Sequence, residues 1–291
     1  MIDAKIGKKV KRLKNDMKKK LKNKMKKKVM KKAKFDYRKL DKKNLIKKIK
    51  FNLKRRSTFS EEKLSSIRKA CRYTDQLYST VLKNFSKFQT ENDVKRFMDD
   101  WIREKGLKKA FPTIVASGKN AFEIHHKPSD DKLVNGFCYL DFGVRVKGYC
   151  SDMTRTFFIG KPNAEERKLY KLVYDAQMLG IKNLKIGKKY TEIDWATRDV
   201  FERGKKGFSK YFIHSLGHGL GKWIHMRPRV SPMSGDIVMG NDIVTVEPGI
   251  YIKDRLGIRI EDDVYIDSKG KVEVMSKSSK KLICLKEREE G

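Results

Sequence analysis

The chain has 291 residues, of which 38% are apolar and 37% charged, with a formal net charge of +35. This length and apolar content suffice for one large folded domain and argue against wholesale disorder. No apolar run approaches the ~18 residues that a membrane-spanning helix needs, and the basic N-terminus lacks the apolar stretch of a secretory signal. Four unclustered cysteines are typical of reduced thiols, so the sequence predicts a cytoplasmic protein.

Residues 1–56 form a Lys-rich segment that holds 27 Lys and Arg but only four Asp and Glu. From Ile6 to Ala33 apolar residues recur every three or four positions, which predicts a long helix with a narrow apolar stripe. A second short basic helix is predicted between Leu40 and Leu53. Because Lys acts as a point charge, the segment favours weak contact with a polyanion such as RNA or the ribosome. A Lys-rich proteome, or packing of the stripe on the folded domain, explains the same pattern without a partner.

The composition changes after this segment, so residues 57–291 are predicted to form a separate folded domain. Thr58 to Glu61 has the pattern of a capping box, and it is predicted to open a helix that carries Leu64 through Val81. A second helix is predicted to begin at Thr90. The domain therefore starts with two helices.

From Phe111 the pattern changes to four short strand phrases, which read FPTIVASG, GFCYLDFG, VKGYC and TRTFFIG. Two further helices are predicted over Ala164–Leu184 and Tyr190–Gly204. Strands return near Phe212 and dominate from Ile243 to Val274. Helices and strands alternate in blocks rather than in regular βαβ units, which indicates an α+β fold with a largely antiparallel sheet.

Five residues with metal-binding side chains lie in short distinctive phrases of the second half. They are Asp141 in YLDFG, Asp152 in GYCSDMTRT, His218 in HSLGHGLG, Glu247 in VTVEPGIYI and Glu261 in GIRIEDD. Four carboxylates and one imidazole suit two divalent metal ions, and this set of donors admits Mn, Co, Fe or Zn. A pair of cations about 3.5–4 Å apart is a recurrent device for activating water against an amide or ester.

The first two acids are spaced as if they belonged to one antiparallel hairpin. With a turn centred between Val146 and Lys147, Asp141 would stand directly opposite Asp152. Their Cβ atoms would then lie about 4.5–5.5 Å apart on one face of the sheet.

The last two acids repeat this relation. Glu247 and Glu261 would face each other across a hairpin centred on Asp254. Like charges at such distances repel and raise each other's pKa unless a cation lies between them. The two hairpins therefore favour a metal site.

All five histidines of the chain fall in two short phrases. His125 and His126 are adjacent, whereas His214 and His225 flank His218, which stands between two glycines. Small neighbours let backbone and metal approach closely. The pattern indicates one metal ligand accompanied by several substrate-facing imidazoles.

Together these phrases resemble those of the pita-bread metallopeptidases, a family that contains methionine aminopeptidases, Xaa-Pro aminopeptidases and Xaa-Pro dipeptidases. The resemblance covers about residues 60–285. It implies a curved antiparallel sheet with helices on its outer face and a dinuclear metal site in the concavity. Here that fold would be preceded by the basic helical extension.

The resemblance also implies the roles of the candidate ligands. Asp141 is similar to the bidentate ligand of one metal, and Asp152 and Glu261 are similar to the bridging carboxylates. His218 and Glu247 correspond to ligands of the other metal. Glu247 also corresponds to the residue that accepts a proton from the attacking water.

Further positions match residues that surround the metal site in the family. His125 and His225 correspond to imidazoles that face the substrate, where they would hold the scissile carbonyl oxygen. His214, Tyr251 and Arg259 match positions that line or brace the site. The resemblance thus implies His214 among the catalytic residues, and Tyr251 and Arg259 among those that bind substrate.

The phrases HSLGHGLG and ASGKNAFEIHHKPSD are closest to the Xaa-Pro branch. The leading prediction is therefore a dinuclear metal-dependent exopeptidase that hydrolyses an N-terminal peptide bond, at Xaa-Pro, in a peptide or dipeptide. Met226 and Lys222 depart from the pattern of that branch. Methionine aminopeptidase activity, and a catalytically inactive binding module associated with RNA or the ribosome, stay as alternatives. The sequence leaves a homodimer open.

Overall fold

The computed structural model describes residues 59–288, so the predicted helices of residues 1–56 and the domain boundary lie outside the described residues. Within residues 59–288, no helix combines the length and the apolar character that crossing a bilayer requires. The α-helices of this part are α1 Glu61–Asn84, α2 Glu91–Glu104, α3 Ala164–Lys182 and α4 Tyr190–Gly204.

Short strands make up the rest of the regular structure. In chain order they are β1 Lys108–Lys109, β2 Ile114–Ser117, β3 Gly136–Phe142, β4 Val144–Val146, β5 Tyr149–Cys150, β6 Met153–Ile159, β7 Gly217–Gly219, β8 Met226–Val230, β9 Asp242–Val246, β10 Gly249–Ile252, β11 Leu256–Arg259, β12 Asp262–Ile266, β13 Val272–Val274 and β14 Cys284–Leu285. They form sheets of order β14-β6-β3-β2, β13-β12-β9-β7-β8, β1-β4-β5 and β10-β11. Apart from the parallel pair β14 and β6, these neighbours run antiparallel, which confirms the predicted α+β fold.

The first helix begins later than the sequence predicted. The side-chain oxygen of Ser60 accepts a hydrogen bond from the backbone N–H of Lys63, so Ser60 is the N-cap. Two acids, Glu61 and Glu62, then occupy the first turn, where they interact favourably with the helix dipole. The predicted cap at Thr58 was therefore wrong by two residues.

The other predicted helices agree closely with the structure. Thr90 and Asp93 form the capping box of α2. Helix α4 has the predicted bounds, and α3 ends at Lys182 rather than Leu184. The strand expected near Phe212 starts only at β7, because a 3₁₀ turn over Phe208–Tyr211 precedes it.

Each half of the domain packs two helices on one sheet. Helices α1 and α2 cover β14-β6-β3-β2 through a core that includes Leu77, Val81, Met98, Leu140 and Phe157. Helices α3 and α4 cover the other large sheet through a core that includes Val173, Phe201, Val244, Ile258 and Val264. Because burying such a side chain contributes about 1.5–3 kcal/mol, these two cores hold the hairpins that carry the candidate ligands in place.

The first acidic hairpin turns one residue later than predicted. Its two-residue turn consists of Lys147 and Gly148, whose φ angles are 49° and 81°. This left-handed pair suits the type I′ turn that matches strand twist. Asp141 therefore pairs with Thr154, and the predicted pairing with Asp152 was wrong. Since the register moves by two positions, Asp141 and Asp152 stay on the same face as diagonal neighbours.

The second acidic hairpin has the predicted register. Gly249 lies opposite Arg259 in β10 and β11, and β9 and β12 continue the same register on the other side. In this register Glu247 lies opposite Glu261, and the hairpin is centred on Asp254 as predicted. The turn there contains a non-glycine residue at positive φ, since Asp254 has a φ of 55°.

Close contact joins this second hairpin to the 3₁₀ turn at Gly118–Phe122. A Cβ atom on Gly257 would lie only 1.7 Å from the carbonyl oxygen of Ala121. Glycine is therefore required at this position of β11, because any side chain would push the turn away from the strand.

Candidate metal centre

Three of the predicted ligands converge in the structure. Asp152, His218 and Glu261 each offer one ligand atom, and these atoms all lie within 4.8 Å of one another. Asp152 precedes β6, His218 is the middle residue of β7, and Glu261 lies between β11 and β12. Both halves of the domain therefore contribute to one cluster.

The imidazole of His218 has its Nε2 atom turned toward carboxylates. Nε2 lies 3.3 Å from Oε1 of Glu247 and 3.6 Å from Oδ2 of Asp152, whereas Nδ1 lies 3.2 Å from the carbonyl oxygen of Gly219. A proton on Nδ1 that is donated to this carbonyl leaves a lone pair on Nε2. Burial, followed by the nearby His225, lowers the pKa of His218 to about 4, so the ring is neutral at pH 7. A neutral imidazole nitrogen is a metal ligand.

Buried carboxylates crowd around this ring. Burial raises the pKa of Asp152 and of Glu261 well above the usual range, and neighbouring carboxylates raise both further. Burial also raises the pKa of Glu247 to about 8, although Arg259 opposes this shift. Among residues 59–288, Oδ1 of Asp141 and Oε1 of Glu261 are buried without a hydrogen-bond partner. Crowded anionic oxygens with free lone pairs are the ligands that a divalent cation requires, so the residues fit a metal.

Arg259 connects Asp141 to the other residues of the site. Its guanidinium donates to Oδ2 of Asp141 at 2.6 Å, to the hydroxyl of Tyr251 at 2.7 Å and to Oγ1 of Thr154 at 3.0 Å. Thr154 in turn donates to Oε2 of Glu261 at 2.7 Å. These bonds hold two of the candidate ligands, which is how partners outside the ligand set orient a metal site.

Two residues expected to bind substrate are almost fully buried. Tyr251 and Arg259 are 1% and 2% exposed, so the structure gives them a bracing position and their contact with substrate stays a prediction. His214 lies against them, with Nε2 2.9 Å from the Tyr251 hydroxyl and Nδ1 4.0 Å from Oε2 of Glu247. Burial, followed by the charge of Arg259, lowers the pKa of His214 to about 3.

The other two predicted catalytic histidines, His125 and His225, are exposed. The ring of His225 lies edge-on to His218, with 4.5 Å between the ring centroids. His125 lies on the loop between the 3₁₀ turn at Gly118–Phe122 and β3, and its side chain is exposed. The contact with His218 places the imidazole of His225 beside one of the candidate ligands.

Sequence reasoning missed the residue that holds the loop of His125. Glu91 is fully buried, and its carboxylate accepts hydrogen bonds from the backbone N–H of Ser117 at 2.9 Å and from Asn120 at 3.1 Å. It also contacts Nε2 of His126 at 2.7 Å. One histidine of the adjacent pair, His126, therefore anchors the loop, and the other, His125, is exposed. The sequence around Glu91 carries no signal that this acid is buried, since acids are common in the first turn of a helix.

A second missed residue lies behind the cluster. Oδ2 of Asp263 accepts the backbone N–H of Asp152 at 2.8 Å and the thiol of Cys71 at 3.2 Å. Burial raises the pKa of Asp263 to about 8. The third acid of the phrase GIRIEDD was the available signal, since such a run of acids rarely lies within a buried strand without partners.

We expect the metal-free protein to lose stability as the pH rises from about 6.5 to about 8. The pKa of Glu247 is about 8 when folded and 4.5 ordinarily, so the folded state holds this proton more tightly. Between these values each such group lowers the free energy of unfolding by about 1.4 kcal/mol per pH unit. His214 and His218 have lowered pKa values, so their opposite contribution is confined below their ordinary value of 6.5.

Urea denaturation in the presence of a chelator, at several pH values between 6.5 and 8, measures this slope. Added Mn²⁺ or Zn²⁺ should flatten it, because a cation replaces the proton as the group that offsets the acids. A free energy of unfolding that stays constant or rises across this window would contradict the expectation.

Residues 65–268 match the model of metallopeptidase family M24, and the chain therefore belongs to this family. It is 38% identical over 229 residues to the uncharacterized peptidase YqhT of Bacillus subtilis, which covers 78% of this chain and 64% of that protein. This membership confirms the resemblance to the pita-bread metallopeptidases.

Solved structures agree with the family. The chain is similar to an Xaa-Pro dipeptidase from Bacillus anthracis, with 36% identity, a TM-score of 0.72 and coverage of 78% and 63% of the two chains. It is 32% identical to a prolidase from Pyrococcus furiosus, with a TM-score of 0.70 and coverage of 76% of this chain and 65% of that one. It is 30% identical to an X-Pro aminopeptidase from Thermotoga maritima, with a TM-score of 0.74 and coverage of 78% of this chain and 64% of that one. The pita-bread fold is thereby confirmed. The chain spans less than two thirds of the length of these relatives.

Proposed function

We propose that this chain is a metal-dependent exopeptidase that hydrolyses an N-terminal peptide bond, with Xaa-Pro as the bond it prefers. The observation that carries the proposal is the convergence of Asp152, His218 and Glu261 within 4.8 Å, beside buried oxygens that have no partner among the described residues. Xaa-Pro preference is supported by the likeness to structures named Xaa-Pro dipeptidase, prolidase and X-Pro aminopeptidase.

Two divalent cations, of Mn, Co, Fe or Zn, would be held by the five predicted ligands, which are Asp141, Asp152, His218, Glu247 and Glu261. When bound, such cations polarise a carbonyl group and lower the pKa of water. Five donor residues support two cations rather than one, because four carboxylates offer more oxygen atoms than a single ion of this kind coordinates.

The chain's own residues would handle the proton and the substrate. Glu247, whose Oε1 lies 3.3 Å from Nε2 of His218, would accept a proton from the attacking water. His125 and His225 would donate hydrogen bonds to the scissile carbonyl oxygen as negative charge develops on it. His214, whose Nε2 lies 2.9 Å from the Tyr251 hydroxyl, would help to stabilise the same part of the substrate. A cytoplasmic location and weak polyanion contact through the Lys-rich segment belong to the same proposal.

The purified 291-residue chain, stripped of metal and then supplied with each cation, tests the proposal. Ala-Pro and an Xaa-Pro-Xaa tripeptide should be hydrolysed only when metal is present, and Met-Ala-Ser should stay intact. Metal analysis of the active protein should give two ions per chain. Turnover of the Met peptide alone would favour methionine aminopeptidase activity, and turnover of no peptide would favour a binding module.

A further inference from the structure

A cavity of about 740 Å³ opens beside the candidate metal centre. Its walls are α4, the 3₁₀ turn before β7, strand β8 and the loop over residues 231–236. His214 belongs both to its lining and to the surroundings of Glu247, and Arg229 pairs with His218 across β7 and β8. None of the five candidate ligands lines the cavity, so it adjoins the metal site through His214, and its volume falls in the range of about 300–1,000 Å³ that ligand pockets have.

Exposed apolar side chains are concentrated in this cavity. Trp195, Ile213 and Met233 line it, and they are 57%, 56% and 92% exposed. They are three of the seven large apolar side chains that are exposed within residues 59–288. Apolar surface that gathers in a concave place marks a binding site, whereas single exposed apolar residues need no explanation.

The same cavity carries an excess of positive charge. Its charged lining residues are Arg198, Lys210, Arg227, Arg229 and Asp236. The guanidinium of Arg198 is engaged by Asp194 at 2.6 Å, and that of Arg227 lies 3.7 Å from Asp236. Lys210 and Arg229 have no carboxylate within ion-pair distance among the residues that the structure describes. An apolar floor with unopposed cations is complementary to a peptide that carries acidic and apolar side chains.

We propose that this cavity binds the part of a peptide that follows the cleaved bond, and that it favours acidic side chains there. The inference rests on the proposed function, under which the N-terminal residue would lie at the metal site and the remaining chain would pass His214 into the cavity. A dipeptide leaves most of the cavity unused. The structure thus points to longer peptides with acidic residues downstream as the substrate class.

Equilibrium binding separates this inference from catalysis. In metal-stripped protein, isothermal titration calorimetry would compare Ala-Pro-Leu-Asp-Asp with Ala-Pro-Leu-Lys-Lys, which differ only in downstream charge. We expect the Asp peptide to bind at least about tenfold more tightly at low salt and to lose this advantage as salt screens the charges. Lys210→Glu should remove most of the difference, whereas Lys185→Glu, the same charge change at an exposed site outside the cavity, should leave it intact.

Equal affinity for the two peptides, or an equal effect of Lys210→Glu and Lys185→Glu, would overturn the inference. Trp195→Ala provides a second measurement, because it should weaken both peptides alike through lost apolar contact. The two proposals fail in different ways. If the Asp peptide binds preferentially but no peptide is hydrolysed with metal supplied, the proposed function fails alone. If both peptides are hydrolysed with the same kcat/KM, the inference about the cavity fails alone.

Discussion

Replacing Glu261 with Gln is expected to lower metal affinity and peptidase activity by more than about 100-fold, the upper cost of losing an outer partner of a metal ligand. The same replacement should leave the metal-free protein at pH 8 at least as stable as the unaltered chain. Glu261 is 2% exposed and its pKa is raised by burial and by Glu247, so its ionisation in the folded state costs free energy. Gln keeps an oxygen that can accept the hydrogen bond from Thr154 but carries no charge.

Urea denaturation in a chelator and peptide hydrolysis with metal measure the two effects of this replacement. Glu273→Gln is the matched control, since Glu273 is an acid of the same half that pairs with Arg68 at the surface. It should change neither metal affinity nor hydrolysis. If Glu261→Gln kept activity within about tenfold of the unaltered chain, its role as a ligand would be wrong.

The neighbouring residue should behave in the opposite way. Asp262→Asn is expected to lower the free energy of unfolding by about 3–5 kcal/mol, the cost of breaking a buried ion pair. Asp262 is fully buried, and it accepts from Arg155 at 2.6 Å, from Lys280 at 2.6 Å and from Gln177 at 2.7 Å. Burial opposes its ionisation, yet Arg155 and Lys280 hold its pKa below the usual range. The replacement would leave Arg155 buried without a full counter-charge.

Chemical denaturation of the metal-free protein at pH 7 checks this value. Asp100→Asn is the control, because Asp100 pairs with Arg103 at the surface and its side chain is 53% exposed. Surface pairs contribute about 0–1 kcal/mol, so the control should have little effect. A loss below about 1 kcal/mol for Asp262→Asn would show that Arg155 is satisfied by its other partners.

The two acidic hairpins show what sequence alone could predict of the fold. The register that sets Glu247 against Glu261 followed from symmetry about Asp254, and the structure has it. The same reasoning failed for Asp141, because the left-handed pair Lys147 and Gly148 determines where that hairpin turns. The sequence shows a glycine at position 148 that suits such a turn. The prediction instead placed the turn midway between Asp141 and Asp152.

The candidate site also contains residues that the sequence predicts and residues that it does not. The ligand candidates were recognisable because each lies in a distinctive phrase. Glu91 and Asp263 were not, because their function depends on contacts with residues far along the chain. Glu91 lies 35 positions from His126, and Asp263 lies 111 positions from Asp152. No local pattern predicts such partners, since they meet only when segments that are far apart in the sequence pack together.

The absence of a side chain at Gly257 links two parts of the site that are distant in sequence. Strand β11 approaches the carbonyl oxygen of Ala121 so closely that no Cβ atom fits between them. The strand ends at Arg259, and the chain beyond Ala121 leads within a few residues to His125. The tight packing of Gly257 on Ala121 therefore sets the spacing between the segment that carries Arg259 and the segment that carries His125.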